Sequence, residues 1–304
     1  MGLDNKLKVS VIINCHNSEN YLNECILSVL NQSHYNLEVI IIDNFSTDKT
    51  YDIVKSFSDN RIEYFKTNSF LSLGDARNFG LNRAKGEYTS FLDSDDYWDS
   101  EKIKKSMRRI DENVGFVYSD VKYFDKKKSF NLYDRRKAYF GSCFNELVLD
   151  YSLCLSSCLF SNKIMKKNKI KFDVNLEVCE DFDFFIQFAR LTNIAYVNEV
   201  LVYYRLHEGS STFNNRQLFF KEIKYICNSK TTIPDDLNFR LKKINIINES
   251  KYFWEIAQSK KAIKNILLSE NNFFIKLFYT TLFLIPYGPI KKVHNLIFYN
   301  YDSN

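Results

Sequence analysis

Residues 9–50 read VSVIINCHNSENYLNECILSVLNQSHYNLEVIIIDNFSTDKT. Val9 to Ile13 is an unbroken run rich in β-branched residues, the pattern of a strand buried on both faces. Between Tyr21 and Leu30 the apolar positions Leu22, Cys25, Ile26, Val29 and Leu30 recur at helical spacing, and Leu37 to Ile42 repeats the buried-strand pattern. Strand, helix and strand in this order form a βαβ unit, which requires a parallel sheet with helices on its faces.

The alternation continues outward from this unit. Ser46 or Thr47 is placed to cap a helix running to Phe57, Arg61 to Phe65 is a third strand, and Gly74 to Ala84 is a helix ended by Gly86. Tyr88 to Leu92 is a further strand that runs into Asp93-Ser94-Asp95-Asp96, with a helix starting near Ser100. Beyond it the pattern loosens to a strand over Val114 to Phe124, a charged loop over Asp125 to Tyr139 and a strand over Leu153 to Phe160. A helix over Glu180 to Leu191 and a long strand over Ala195 to Tyr204 follow. From about Asn214 the spacing is helical throughout, with a start at Pro234-Asp235-Asp236 and a break at Pro286-Tyr287-Gly288-Pro289. The chain is therefore expected to divide into an α/β domain over residues 1–214 and a helical region over residues 215–304.

Composition narrows the class. Of 304 residues, 45% are apolar and 26% charged, which excludes disorder over most of the length. The net charge of +5 is carried by the tail, where residues 215–304 hold 14 Lys/Arg against 7 Asp/Glu. No zinc finger, helix-turn-helix signature or RNP sequence accompanies that surplus, so no nucleic-acid partner is expected. Seven cysteines, an odd number within apolar stretches, point to a reducing compartment. The first residues offer no apolar leader segment, and a cytoplasmic location is expected.

In open α/β sheets ligands bind beyond the carboxyl ends of the strands. Those ends are polar here: Asn14, Cys15, His16 and Asn17 after the first strand, Asp43 and Asn44 after the second, Lys66, Thr67 and Asn68 after the third, and Asp93 and Asp95 after the fourth. Side chains of this kind can hydrogen-bond a base and a ribose. No glycine-rich phosphate loop follows either of the first strands, so dinucleotide and ATP-hydrolysing readings fail where they should be strongest. Asp93-Ser94-Asp95 instead offers one or two carboxylates to a divalent cation while leaving positions for phosphate oxygens and water.

The stretch quoted above, together with GDARNFGLNRAKGEYTSFLDSDDYW at residues 74–98, resembles the nucleotide-sugar half of family 2 glycosyltransferases, which have the GT-A fold. Glu180-Asp181 and Tyr204-Arg205-Leu206-His207 with Ser210 extend the likeness over about the first 210 residues. The resemblance implies a Rossmann-like mixed sheet flanked by helices with a helical C-terminal extension. It also implies inverting transfer of one sugar from a UDP-sugar to a hydroxyl of a glycan or lipid-linked oligosaccharide, in surface polysaccharide or glycoconjugate assembly.

Carried onto this sequence, the resemblance implies that Asp43 accepts from the uracil imide, Asn68 and Arg77 hold base or diphosphate, and Asp93 touches the ribose, with Asn14 and Asn17 at the same pocket. Asp95 would bind Mn2+ or Mg2+, with His207 either a second ligand or a hydrogen-bonding loop residue, and Arg205 would face the diphosphate. Asp181 would be the general base, with Glu180 the alternative. Asn14 and Asn44-Phe45 depart from the family's usual Pro and Asp-Gly, and the absence of a Gln-x-x-Arg-Trp segment argues against a processive synthase. A catalytically inactive nucleotide-sugar-binding scaffold subunit is the rival reading.

Phe273 to Ile285 is the most apolar run, yet as a helix its 13 residues reach only about 20 Å, short of a ~30 Å hydrocarbon core. With Lys260, Lys261, Lys264, Lys276, Lys291 and Lys292 around it, the run has the composition of a helix lying in an anionic membrane interface, here the inner face of the cytoplasmic membrane. The alternative is packing within the protein or at a dimer contact.

Overall fold

Val9–Cys15 (β1), Leu37–Asp43 (β2), Ile62–Lys66 (β3) and Tyr88–Asp93 (β4) lie parallel in the order β3-β2-β1-β4 in a computed structural model that describes residues 6–207, 215–229 and 233–288. Leu22–Leu30 (α1), Thr50–Lys55 (α2) and Leu73–Leu81 (α3) make the crossovers. Strand alternation sorts the core. Val9, Val11, Ile13 and Cys15 pack with Leu22, Cys25, Ile26 and Val29 of α1, whereas Ile12, Ile40 and Ile42 join Ala76 of α3 on the opposite face. Register aligns the polar strand ends, since Cys15 pairs with Asp43, Asp43 with Lys66 and Asn14 with Asp93.

The second half of the sheet is mixed. Tyr97–Trp98 (β5) lies antiparallel to Asn193–Arg205 (β9), which runs parallel to Val114–Phe124 (β6). Ser129–Asn131 (β7) pairs with β6, and Leu159–Ser161 (β8) joins β6 to β4 antiparallel to both. Short helices Lys102–Met107 (α4), Phe144–Leu149 (α5) and Asn162–Asn168 (α6) lie in the connections, and Glu180–Ala189 (α7) covers one face. Phe184, Phe185 and Phe188 of α7 meet Phe91, Phe116, Phe160 and Phe172 there, with Phe172 stacked on Phe184 at 4.0 Å.

Three local expectations are corrected. Leu153 to Phe160 is not one strand: Ser157 Oγ donates to Cys154 O at 2.7 Å and a 3-10 turn over Leu155–Ser157 precedes the short β8, because a serine hydroxyl competes for backbone groups. The charged loop after Phe124 contains β7, since Asp125 Oδ1 accepts the N–H groups of Lys127 and Lys128 and closes a hairpin turn. Neither Ser46 nor Thr47 caps α2, which begins at Thr50 with Asp48 Oδ1 accepting the Thr50 N–H at 3.0 Å. Ser46 Oγ instead accepts the Asn17 N–H.

Contacts divide the chain into two units, residues 1–210 and 211–304. The seam expected near residue 214 and the Ser210 position lie outside the described residues, as do Pro289, Lys291 and Lys292. The described residues of the second unit form Arg216–Ser229 (α8), Asp235–Glu255 (α9), Ser259–Leu268 (α10) and Phe273–Leu284 (α11). Phe253, Trp254, Ala262, Ile266 and Phe283 form one buried cluster within it, and Trp254 Nε1 donates to Ile285 O at 2.7 Å. Phe273, Phe274, Leu277, Phe278 and Leu284 of α11 and Leu267 and Leu268 of α10 are exposed. No described helix is long and apolar enough to cross a membrane.

Candidate active site

Asp43 ends β2 fully buried, and both of its oxygens are engaged. Oδ1 accepts the Ser46 N–H at 2.8 Å and Oδ2 the Tyr64 hydroxyl at 2.5 Å, with Lys66 Nζ 4.0 Å away. Asp43 is therefore the clamp of the turn after β2 before it is anything else. That turn includes Phe45 at φ +63°, where the Cβ of a non-glycine residue is strained. Asn17, at φ +49°, stitches the turn to the end of β1 by accepting the Thr47 N–H on Oδ1 at 2.9 Å. Asn14 Oδ1 is buried without a hydrogen-bond partner among the described residues, and Asn68 is exposed. His16 hydrogen-bonds Asn44 O through Nδ1 at 2.8 Å and meets the exposed Phe70 edge-on at 4.8 Å.

Arg77 comes from α3 and is buried, although a helical arginine is ordinarily solvated. Its guanidinium donates to Glu180 Oε1 at the start of α7, lies 3.4 Å from Asp93 Oδ1 at the end of β4, and sits over the Phe172 ring at 5.5 Å. Asp181 is half-buried beside this group, with Oδ2 accepting the Tyr151 hydroxyl at 2.8 Å. One guanidinium thus faces three carboxyl groups. Burial, partly offset by Arg77, raises the pKa of Asp93 and Asp181 and pushes Glu180 up to about 7. A carboxyl whose pKa is drawn toward neutrality is suited to moving a proton.

Two residues past the end of β4, Asp95 Oδ2 is 2.8 Å from His207 Nε2, and the His207 and Asp95 side chains are 27% and 33% exposed. Among the described residues no three His, Cys, Asp or Glu side chains gather around one point. A carboxylate and an imidazole with solvent access nonetheless fit a divalent cation of the Mn or Mg class, which takes one or two protein ligands and completes its shell with phosphate oxygens and water. Arg205 backs this pair. Its Nε donates to Asp95 O at 3.1 Å, its backbone N–H to Asp96 Oδ1 at 3.0 Å and its guanidinium to Glu24 at 2.5 Å, over the rings of Tyr21 and Phe124. The arginine expected at a diphosphate is thus held in an aromatic cage and orients the Asp95 loop.

Motif spacing missed the residues that support these groups. Ser156 Oγ donates to Asp96 Oδ2 at 3.2 Å and lies 3.5 Å from Asp93 Oδ2, while its carbonyl accepts Trp98 Nε1 at 2.8 Å. Its residue type carries no signal of this role; only the path of the chain from the 3-10 turn into β8 brings it there.

Solved structures share this architecture. Staphylococcus aureus TarS residues 1–349 superpose with a TM-score of 0.64 at 21% identity, covering 85% of this chain and 80% of that one. The mannosyltransferase PcManGT of Pyrobaculum calidifontis, solved with GDP-Man and Mn2+, gives 0.62 at 15% identity over 95% and 83%. The fold is GT-A: a mixed sheet flanked by helices, followed by a helical C-terminal region. The model of glycosyl transferase family 2 matches residues 10–171. An uncharacterized glycosyltransferase of Rickettsia typhi is 32% identical over 67% of this chain, which spans only 65% of that relative's length. The Escherichia coli UDP-Glc:alpha-D-GlcNAc-diphosphoundecaprenol beta-1,3-glucosyltransferase WfaP is 32% identical over 71% of this chain and 82% of its own. The chain belongs to glycosyl transferase family 2.

Proposed function

We propose that the protein transfers one sugar, with inversion, from a UDP-sugar to a hydroxyl of a glycan or lipid-linked acceptor in surface polysaccharide or glycoconjugate assembly. The observation that carries this reading is the Arg77 group, where donor-side Asp93 and the Glu180-Asp181 pair share one buried guanidinium. WfaP, whose name specifies UDP-Glc and a diphosphoundecaprenol acceptor, and TarS, solved with UDP-GlcNAc, support the choice of donor and acceptor class.

Asp93, Asn14, Asn17 and Asn68, with Asp43 holding the turn behind them, form the donor edge of the sheet. Asp181 draws the proton from the acceptor hydroxyl as that oxygen attacks the anomeric carbon on the face opposite the leaving UDP, so configuration inverts. Its raised pKa makes it a stronger base than a solvated aspartate. Asp95 and His207 would hold Mn2+ or Mg2+, which when bound neutralises charge on the diphosphate. The exposed apolar face of α11, near Lys260, Lys264 and Lys276, supports peripheral contact with an anionic membrane on its cytoplasmic side.

A UDP-release screen over UDP-sugars, with and without manganese, tests the reaction without a known acceptor. Release with one sugar is expected, abolished by chelation and by Asp95→Ala. Asp181→Asn should keep donor binding and lose roughly 100-fold or more in turnover. No UDP binding by calorimetry would sink the nucleotide assignment.

A further inference from the structure

Residues 125–151 carry no motif, yet this segment ends at the base. Tyr151 donates its hydroxyl to Asp181 Oδ2 at 2.8 Å, while Asp181 Oδ1 accepts the Phe182 N–H at 2.6 Å. The Tyr151 ring lies edge-on to Phe182 at 5.2 Å and against Phe185 at 6.0 Å, so residues of α7 itself aim the phenol. The chain around Tyr151 is pinned in turn. Arg136 donates to Tyr151 O at 3.1 Å and to Asp150 Oδ1 at 2.5 Å, Tyr139 donates to Asp150 Oδ2 at 2.9 Å, and Tyr133 donates to Ser152 O at 2.7 Å.

A base must present one lone pair to its proton while the rest of the carboxylate stays still. Packing alone would be served by phenylalanine at 151; the hydroxyl adds the hydrogen bond to Asp181. We propose that Tyr151 is a positioning residue for the base, its hydroxyl keeping Asp181 ionised and oriented and transmitting to it the order of the segment 133–152. The proposal rests on the reading of Asp181 as the base.

The groups facing Asp181 include Arg77 from α3, Asp93 from β4, Glu180 on its own helix, Tyr151, and the Cys158 thiol just before β8. Burial and Asp93 raise the Asp181 pKa, whereas Arg77, the Tyr151 hydroxyl and the Phe182 N–H lower it. Burial also pushes the Tyr151 phenol well above its usual range, so it remains a donor throughout the working pH range.

The test titrates Asp181 directly. Protein labelled with 13C at the aspartate carboxyl carbon, with the Asp181 resonance assigned by its loss in Asp181→Asn, is followed by NMR against pH. Wild type, Tyr151→Phe and protein carrying 2,3-difluorotyrosine at position 151 are compared. Tyr151→Phe should raise the Asp181 midpoint by roughly one pH unit, and the more acidic fluorinated phenol should lower it. UDP release from UDP-glucose or UDP-GlcNAc should fall about tenfold in Tyr151→Phe, its acid limb moving with the NMR midpoint. Identical Asp181 midpoints in all three proteins overturn the proposal. The titration needs no turnover, so the two readings fail separately: Asp181→Asn releasing UDP at the wild-type rate would overturn the base assignment, and the proposal with it, while the hydrogen bond stayed visible by NMR.

Discussion

Lys102 is a lysine with no exposed surface. Its Nζ donates to Ser90 Oγ at 2.5 Å and Cys158 O at 3.1 Å and lies 4.0 Å from the centre of the Trp98 ring. Burial lowers its pKa to about 7, against an ordinary value near 10.4 in the unfolded chain. Between those values the unfolded state binds more protons, so this residue makes the protein more stable as pH rises from 7 toward 10. Lys102→Met removes that slope. Its melting temperature relative to wild type should be highest near pH 7 and fall steadily toward pH 10; a constant difference would show that Lys102 stays charged. Nothing in the local sequence marks this lysine, which falls in a run of surface-like residues at the start of α4. At the same scale Asp93 and Asp95 were legible as polar residues after a strand, whereas Arg77, in the middle of α3, and Asp181 entered only through the family resemblance. Glu180 as the partner of Arg77 was not legible, because the two are 103 positions apart.

At the scale of elements, α3 lies against the sheet closely enough that a Cβ on Gly80 would stand 2.6 Å from Ile12 Cγ2. That approach brings Arg77, one turn earlier, within reach of the end of β4. Gly80→Ala should destabilise by about 1–3 kcal/mol through overpacking, despite its better helix propensity, as measured by the urea midpoint. A gain in stability would mean that α3 can shift outward at no cost. Buried strands and helix faces were legible in the first hundred residues because their periods are local. The second half was less so. β8 is three residues long and β7 lies within a charged loop, so each owes its strand conformation to pairing with β6, which local propensity does not encode.

At the scale of the whole molecule, the helical unit leaves apolar side chains of α11 exposed, Phe273 and Phe274 at 70% and 79%. Phe274→Glu with Phe278→Glu should abolish sedimentation with vesicles containing anionic lipid and leave UDP binding unchanged; full retention on vesicles would remove the membrane reading. Hydropathy alone could not separate these exposed side chains from buried ones, since period shows that a stripe exists and not what it meets. The sequence by itself determined the parallel βαβ half, the polar edge at its carboxyl ends and the helical tail, because each follows from repeating local patterns. Only the tertiary structure decided which edge residues meet: Asp43 with Tyr64, Arg77 with Glu180, Asp95 with His207 across 112 positions, and Asp181 with Tyr151. The first pair follows from the pairing of β2 with β3; the other three depend on how β9, α7 and the segment before β8 are laid against the first four strands, a long-range choice made by burial and not by spacing along the chain.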